Sequence, residues 1–300
     1  MAAPIKILLQ TTIERTEDDW HIGRFNLLRD YLASLRAADG TPLAVVEARD
    51  RGPLARPDPV LSRLDQSDFT ELWLFAVDTG DGLTREDCAG ISRFRHRGGG
   101  LMVARDHHDL GSSVCELGGV GAAHYFHSSN IDPDRSHRVN DDPDNPDIQW
   151  PNFHSGANGD YQEIRVAGEP HVLLSDPSTV DGMIHYLPAH PHEGGVGAPR
   201  DDASARVIAT GKSSVTGREF SLIVAFELST SGGPAVAEST FHHFCDYNWD
   251  VNTGAPSFVT DRPGNRLAEF PLALDATKRY VRNLALWLAA RGGEIRRAVH

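Results

Sequence analysis

The chain has 300 residues, of which 40% are hydrophobic and 24% charged, and its formal net charge is −13. This composition is typical of a globular protein that can bury a core, and it excludes a chain that is disordered throughout. The negative charge argues against nucleic acid as a partner, because a phosphate backbone would be repelled over most of the surface.

The cellular compartment can be predicted from three features: the N-terminus, the length of the apolar runs and the spacing of the cysteines. Residues 1–10 carry one lysine and a short apolar run, which is not the layout of a signal peptide. No stretch approaches the ~20 apolar residues that span a bilayer, so we expect no membrane partner. Cys88, Cys115 and Cys245 lack CxxC spacing, which argues against a disulfide framework and a zinc–thiolate site. A reducing compartment fits best, and we expect a cytoplasmic protein.

The first third of the chain alternates between two patterns. Short apolar runs predict buried strands, and apolar residues at helical spacing predict helices. In chain order these are a strand at 5–9, a helix at 20–36, strands at 43–47 and 71–77, a helix capped by Thr84, and a strand at 101–104. Such alternation predicts an α/β fold, with a mostly parallel sheet and helices on both faces.

The rest of the chain begins with a long polar segment. Residues from about 127 to 160 are rich in Asp, Asn, Pro, Ser and His, and a loop of that length is usually functional or disordered. Strands are predicted again at 163–166, 171–174, 206–209, 219–226 and 235–240, followed by a helix at 275–291. We expect residues 1–300 to form a single domain with a loop insertion at about 127–160.

Glycine-rich turns carry a resemblance to a known family. The helix that ends at Arg97-Gly98-Gly99-Gly100 leads into a strand, and the segments 117–119 (LGG) and 123–126 (AHYF) follow. Trp20-His21 and the segment 240–243 (TFHH) fit the same pattern. Together they resemble the ThuA-like (trehalose-utilisation) family of the class I glutamine-amidotransferase-like superfamily. The resemblance implies a flavodoxin-like sheet and a role in carbohydrate metabolism.

The elbow after the fourth strand departs from both patterns. Amidotransferases place a cysteine nucleophile there, and ThuA-like proteins usually place a histidine. This chain has Arg105 at the position of the family histidine and no cysteine in the elbow. Glutaminase chemistry by a thiolate is therefore excluded.

Ligands bind at the carboxyl ends of the strands in open α/β sheets. The elbow supplies the candidate catalytic residues Arg105, Asp106, His107 and His108. Adjacent histidines and carboxylates suit acid–base catalysis or a divalent metal such as zinc, and a structural role bonding backbone carbonyls is the third alternative. The candidate metal ligands are His107, His108, His242 and His243, because both pairs follow strands that open on the same crevice.

Aromatic and polar residues near the same strand ends suit a sugar, whose C–H faces stack on rings while its hydroxyls bond polar groups. The candidate substrate-binding residues are Trp20, His21, Asp78, Asp246, Asn248 and Trp249. The alternative for the last three is a turn packed into the core. A second pair, His190 and His192, lies on a Gly/Pro-rich stretch, where we expect an exposed loop unless it folds over the crevice as a lid.

These observations predict an enzyme of hydrolase or lyase type that acts on a carbohydrate or related polyhydroxy small molecule. The alternative is a non-catalytic sugar-binding or accessory protein that kept the scaffold without the nucleophile. The expected ligand is a carbohydrate-like small molecule, and a homo-oligomer is left open.

Overall fold

The computed structural model describes residues 3–15, 20–142, 144–257 and 259–289. The strands are β1 (Ile5–Glu14), β2 (Ala44–Arg51), β3 (Glu71–Phe75), β4 (Gly100–Ala104), β5 (His124–Tyr125), β6 (Tyr161–Glu163), β7 (Arg165–Val166), β8 (Tyr186–Pro188), β9 (Gly195–Val196), β10 (Ala205–Lys212), β11 (Glu219–Phe226) and β12 (Ala235–Glu238). The α-helices are α1 (Asn26–Ser34), α2 (Arg85–His96), α3 (Asp246–Trp249), α4 (Arg266–Glu269) and α5 (Pro271–Leu288).

Eight of these strands form one sheet in the order β2-β1-β3-β4-β12-β11-β10-β7. The five strands from β2 to β12 are parallel to one another, and β11, β10 and β7 continue the sheet in antiparallel fashion. β5 pairs with β9 and β6 pairs with β8 in two small sheets. The predicted fold class, a mostly parallel α/β sheet, is confirmed.

The sheet is covered on both faces because successive side chains of a buried strand point to opposite sides. Trp73 and Phe75 of β3 pack in the core that contains the buried faces of α1 and α5. Leu72 and Leu74 of the same strand pack in the second core, against α2. A strand buried on both faces reads as a continuous apolar run, as this one does.

The helix and strand boundaries agree with most of the predicted ones, with local exceptions. The predicted strand at 171–174 is wrong, because His171 accepts a hydrogen bond from Leu173 N and caps the 3-10 helix Val172–Leu174. The predicted helix at 20–36 is a 3-10 turn, Ile22–Phe25, followed by α1. The last helix begins at Pro271 rather than at 275, and the predicted end at 291 lies outside the described residues.

The cysteines differ from the sequence prediction. Cys88 on α2 and Cys115 form a disulfide, and Cys245 is free and buried. The absence of CxxC spacing was a poor guide because the two cysteines are 27 residues apart and meet only when α2 packs against the segment that follows the elbow. Among the described residues, no helix combines the length and apolarity needed to cross a membrane.

The long loop at about 127–160 lies over the carboxyl ends of the parallel strands. It contains the 3-10 helix Arg135–His137, and Phe153 pairs with Glu193. Asn145, Ile148 and Asn158 of this loop line a cavity at this edge of the sheet. The loop therefore contributes directly to the candidate site.

Candidate functional site

The candidate site is a cavity of about 400 Å³ at the carboxyl ends of β4 and β12. These strands are parallel neighbours, so the residues that follow them meet at one edge of the sheet. The rings of Trp20, Phe241 and Tyr247 form part of its wall. Its aspartate and histidine lining residues are Asp106, His107, His190, His192, His242 and Asp261.

Asp106 lies at the centre of this group. Its Oδ2 atom is 2.8 Å from His107 Nδ1, 3.4 Å from His190 Nε2 and 3.5 Å from His242 Nε2. Its Oδ1 atom accepts a hydrogen bond of 2.7 Å from the Thr240 hydroxyl. Burial by itself would raise the pKa of Asp106, but the surrounding imidazoles hold that pKa well below its ordinary value. Asp106 is therefore a buried carboxylate with three histidines around one oxygen.

Two asparagines contact His190 and His242, and together they fix the tautomer of His190. Asn248 Nδ2 donates to the backbone oxygen of Ala189 and to Asn158 Oδ1, both at 3.0 Å. A backbone carbonyl only accepts, so the amide nitrogen of Asn248 faces it and Asn248 Oδ1 faces His242 Nδ1. Asn158 Oδ1 likewise lies 2.7 Å from His190 Nδ1. His190 Nδ1 therefore carries the proton and His190 Nε2 a lone pair. His242 Nδ1 lies between Asn248 Oδ1 and the Tyr247 hydroxyl, 2.8 Å away, which can donate or accept.

His192 forms a further group on the pocket wall. Its Nδ1 atom lies 3.0 Å from Asp142 Oδ2 and its Nε2 atom 3.5 Å from Asp261 Oδ2. Its ring centroid is 5.1 Å from that of His107. Burial is the main cause that lowers the pKa of His192.

The expectation of an exposed loop at His190 and His192 is wrong, because both side chains are buried. Gly194 explains how this segment approaches the elbow. A Cβ atom at Gly194 would lie 2.3 Å from the backbone oxygen of Asp106, so only glycine allows this contact. The segment closes over the crevice, as the alternative interpretation had it.

Arg105 does not line the cavity. Its guanidinium donates to the backbone oxygens of Leu110, Tyr125 and His108, and it lies over the ring of Phe126. Burial lowers its pKa to about 9, so it remains charged at neutral pH. The predicted catalytic arginine is thus placed where it holds the elbow in shape.

Only two of the four predicted metal ligands, His107 and His242, line the cavity. His108 is turned toward His127, and the two rings are stacked with centroids 4.8 Å apart. His243 lies between Glu193 and Glu238, and these carboxylates raise its pKa to about 9 against the effect of burial. His107 and His242 therefore both contact Asp106, whereas His108 and His243 contact other residues.

Of the predicted substrate-binding residues, Trp20 lines the cavity. The others have internal partners. His21 accepts a hydrogen bond from Gly23 N, and Asp78 accepts one from the Thr12 hydroxyl. Asp246 accepts hydrogen bonds from Asn26 N and Leu27 N. The Trp249 indole donates to the backbone oxygen of His243. Asn248 acts through His242, as described above. Sequence reasoning missed Asn158 and Asp261, for which the polar composition of their segments was the available signal.

Comparison with solved structures finds similar chains. A ThuA-like protein from Parabacteroides merdae gives a TM-score of 0.51 at 14% identity, with 96% of this chain and 91% of the other covered. The chain has a ThuA-like fold. A ThuA-like protein from Bacteroides uniformis (TM-score 0.45, 11% identity, 96% and 93% covered) and the glutaminase domain of CTP synthase from Trypanosoma brucei (0.47, 13%, 95% and 93%) are also similar. The predicted resemblance is confirmed at the level of fold. No family model and no curated protein matches the sequence.

Proposed function

We propose that this ThuA-like chain is an enzyme that acts on a carbohydrate or related polyhydroxy small molecule, by acid–base chemistry of hydrolase or lyase type. The observation that carries the proposal is the pair formed by Asp106 and His107 at the wall of a cavity of about 400 Å³. A buried carboxylate that orients an imidazole at a pocket is a recurrent arrangement for proton transfer.

The hydrogen bond sets the role of each partner. A carboxylate oxygen only accepts, so His107 Nδ1, 2.8 Å from Asp106 Oδ2, carries the proton. The lone pair then resides on His107 Nε2, which serves as the general base and returns the proton as the general acid. His107 retains some exposure whereas Asp106 is buried, so the imidazole is the member of the pair that meets the substrate.

The cavity wall supports the substrate class. Trp20 and Phe241 have ring centroids 5.3 Å apart and offer an apolar surface. Asn145, Thr260 and Asp261 supply polar groups on other parts of the wall. Apolar rings beside a few directed polar groups suit the C–H faces and hydroxyls of a sugar. The sequence resemblance to ThuA-like proteins points to the same class.

The test is a turnover screen of mono- and disaccharides, sugar acids and oxidised sugars with purified protein. With any substrate that the wild type turns over, the His107→Gln variant should have a kcat lower by ~10²-fold or more, the scale of general acid–base catalysis. The matched control is His185→Gln, at an exposed histidine outside the cavity, and it should retain full activity. Full activity of His107→Gln contradicts the mechanism, and sugar binding without turnover supports the accessory-protein alternative.

A further inference from the structure

Three buried polar atoms, Asp106 Oδ2, His190 Nε2 and His242 Nε2, lie together in the cavity. His190 Nε2 and His242 Nε2 are 3.4 Å and 3.5 Å from Asp106 Oδ2. Asn158 holds the proton of His190 on the opposite side of its ring, and His242 Nδ1 contacts Asn248 Oδ1 and the Tyr247 hydroxyl. Within the described part of the chain, His190 Nε2 is fully buried and has no hydrogen-bond partner. Buried polar atoms are normally satisfied, so this arrangement calls for a positive group between them.

A single proton does not meet that need. A proton on one imidazole satisfies that ring and leaves the other lone pair facing the carboxylate. A cation placed between the three atoms satisfies all of them at once. Asp106 is prepared for this role, because Thr240 and His107 orient its two oxygens by hydrogen bonds.

The distances identify the kind of cation. Around a tetrahedral Zn²⁺ ion with bonds of about 2.0–2.1 Å, neighbouring ligand atoms are about 3.3 Å apart. The two distances from Asp106 Oδ2 are close to this value, and the three ligand atoms all lie within 4.8 Å of one another. The His190 and His242 rings are stacked with centroids 3.4 Å apart, so binding requires them to rotate until both Nε2 atoms point at one ion. Imidazole nitrogens favour zinc and similar transition metals, whereas magnesium and calcium prefer oxygen.

The outer contacts also match a metal centre. Metal-binding histidines usually donate their other N–H to an oxygen, which fixes the ring and its tautomer. Here Asn158 accepts the proton of His190, and Asn248 Oδ1 and the Tyr247 hydroxyl are the oxygen partners of His242 Nδ1. The two asparagines are joined to each other by a hydrogen bond. Three protein ligands leave a fourth position open, as in catalytic zinc sites, and all three residues line the cavity.

We infer that Asp106, His190 and His242 bind one divalent transition-metal ion of the zinc class through Asp106 Oδ2 and the two Nε2 atoms. The inference deepens the proposed function and rests on the same cavity, but metal binding is measurable without a substrate. It replaces the predicted ligand set, since His108 and His243 have partners elsewhere and His107 is the hydrogen-bond partner of Asp106.

The experiment is titration of chelator-treated, dialysed protein with ZnCl₂ by calorimetry, and with CoCl₂ by visible absorption. We expect one ion per chain, a Co²⁺ spectrum typical of four-coordination with nitrogen ligands, and a Tm that rises with metal concentration. His190→Ala should weaken binding by ~10²-fold or more, and Asn158→Ala by ~10–100-fold, as outer contacts of metal ligands do. The matched control, His192→Ala, removes a histidine of the same segment that is not a ligand and should leave affinity unchanged.

The inference is overturned if wild-type protein binds no stoichiometric ion, or if His190→Ala binds as tightly as wild type. Loss of binding in His192→Ala with retention in His190→Ala would also overturn it. The Co²⁺ spectrum of the wild type keeps the test decisive if His190→Ala does not fold. A protein that binds the ion but turns over no sugar refutes the proposed function alone, and a protein that turns over sugar but binds no stoichiometric ion refutes this inference alone.

Discussion

Arg105 gives the sharpest test of how the structure revises the sequence interpretation. As a catalytic residue it would be needed for activity, whereas its position makes it a support of the elbow. We consider Arg105→Met, which keeps much of the aliphatic stem and removes the guanidinium. The variant leaves the backbone oxygens of Leu110, Tyr125 and His108 without their donor.

Each hydrogen bond from a charged donor contributes about 1.5–3 kcal/mol, and three are lost in this variant. Part of the loss is offset because the variant no longer buries a charge. We therefore expect the free energy of unfolding to fall by about 3 kcal/mol. For a chain of this size that corresponds to a decrease in Tm of roughly 5 °C or more.

Urea denaturation of both proteins measures the change. The matched control is Arg97→Met, because Arg97 also donates to two backbone oxygens but is exposed, so water replaces its bonds. We expect it to cost less than ~1 kcal/mol. Unchanged stability of Arg105→Met together with a loss of activity would refute the structural role and restore the catalytic one.

Two further predictions concern pH and the cysteines. His124 is fully buried and burial lowers its pKa to about 3. Since a histidine in the unfolded chain titrates near 6.5, protonation favours the unfolded state below that pH. Between pH 7 and pH 5 the free energy of unfolding should therefore fall by about 2 kcal/mol less in His124→Leu than in the wild type. Urea denaturation at both pH values measures the change, and an equal decrease in the free energy of unfolding in wild type and variant would contradict this prediction. Reduction of the Cys88–Cys115 disulfide, with cysteines 27 residues apart, should lower the free energy of unfolding by about 3 kcal/mol. A reductant that leaves the wild-type denaturation curve unchanged would show that the cysteines are not paired in solution.

The sequence by itself determined the parallel part of the sheet and the place of the elbow. The apolar runs of β1, β3 and β4 predict buried strands because their side chains pack on both faces. Thr84 predicts the start of α2, and its side chain accepts from Asp87 N as a cap. These features are local, so periodicity and capping reveal them without knowledge of the rest of the chain.

The tertiary structure decided which residues form the site. His190 and Asp106 are 84 positions apart, and no pattern within either segment shows that they meet. The approach depends on the fit of Gly194 against the elbow and on the pairing of Phe153 with Glu193. In the same way, Arg105 and His107 look equivalent in sequence. The Arg105 side chain nevertheless donates to the backbone oxygens of His108 and Leu110, whereas His107 lines the cavity. Side-chain direction at a loop follows from long-range packing and hydrogen bonding, which the sequence pattern does not encode locally.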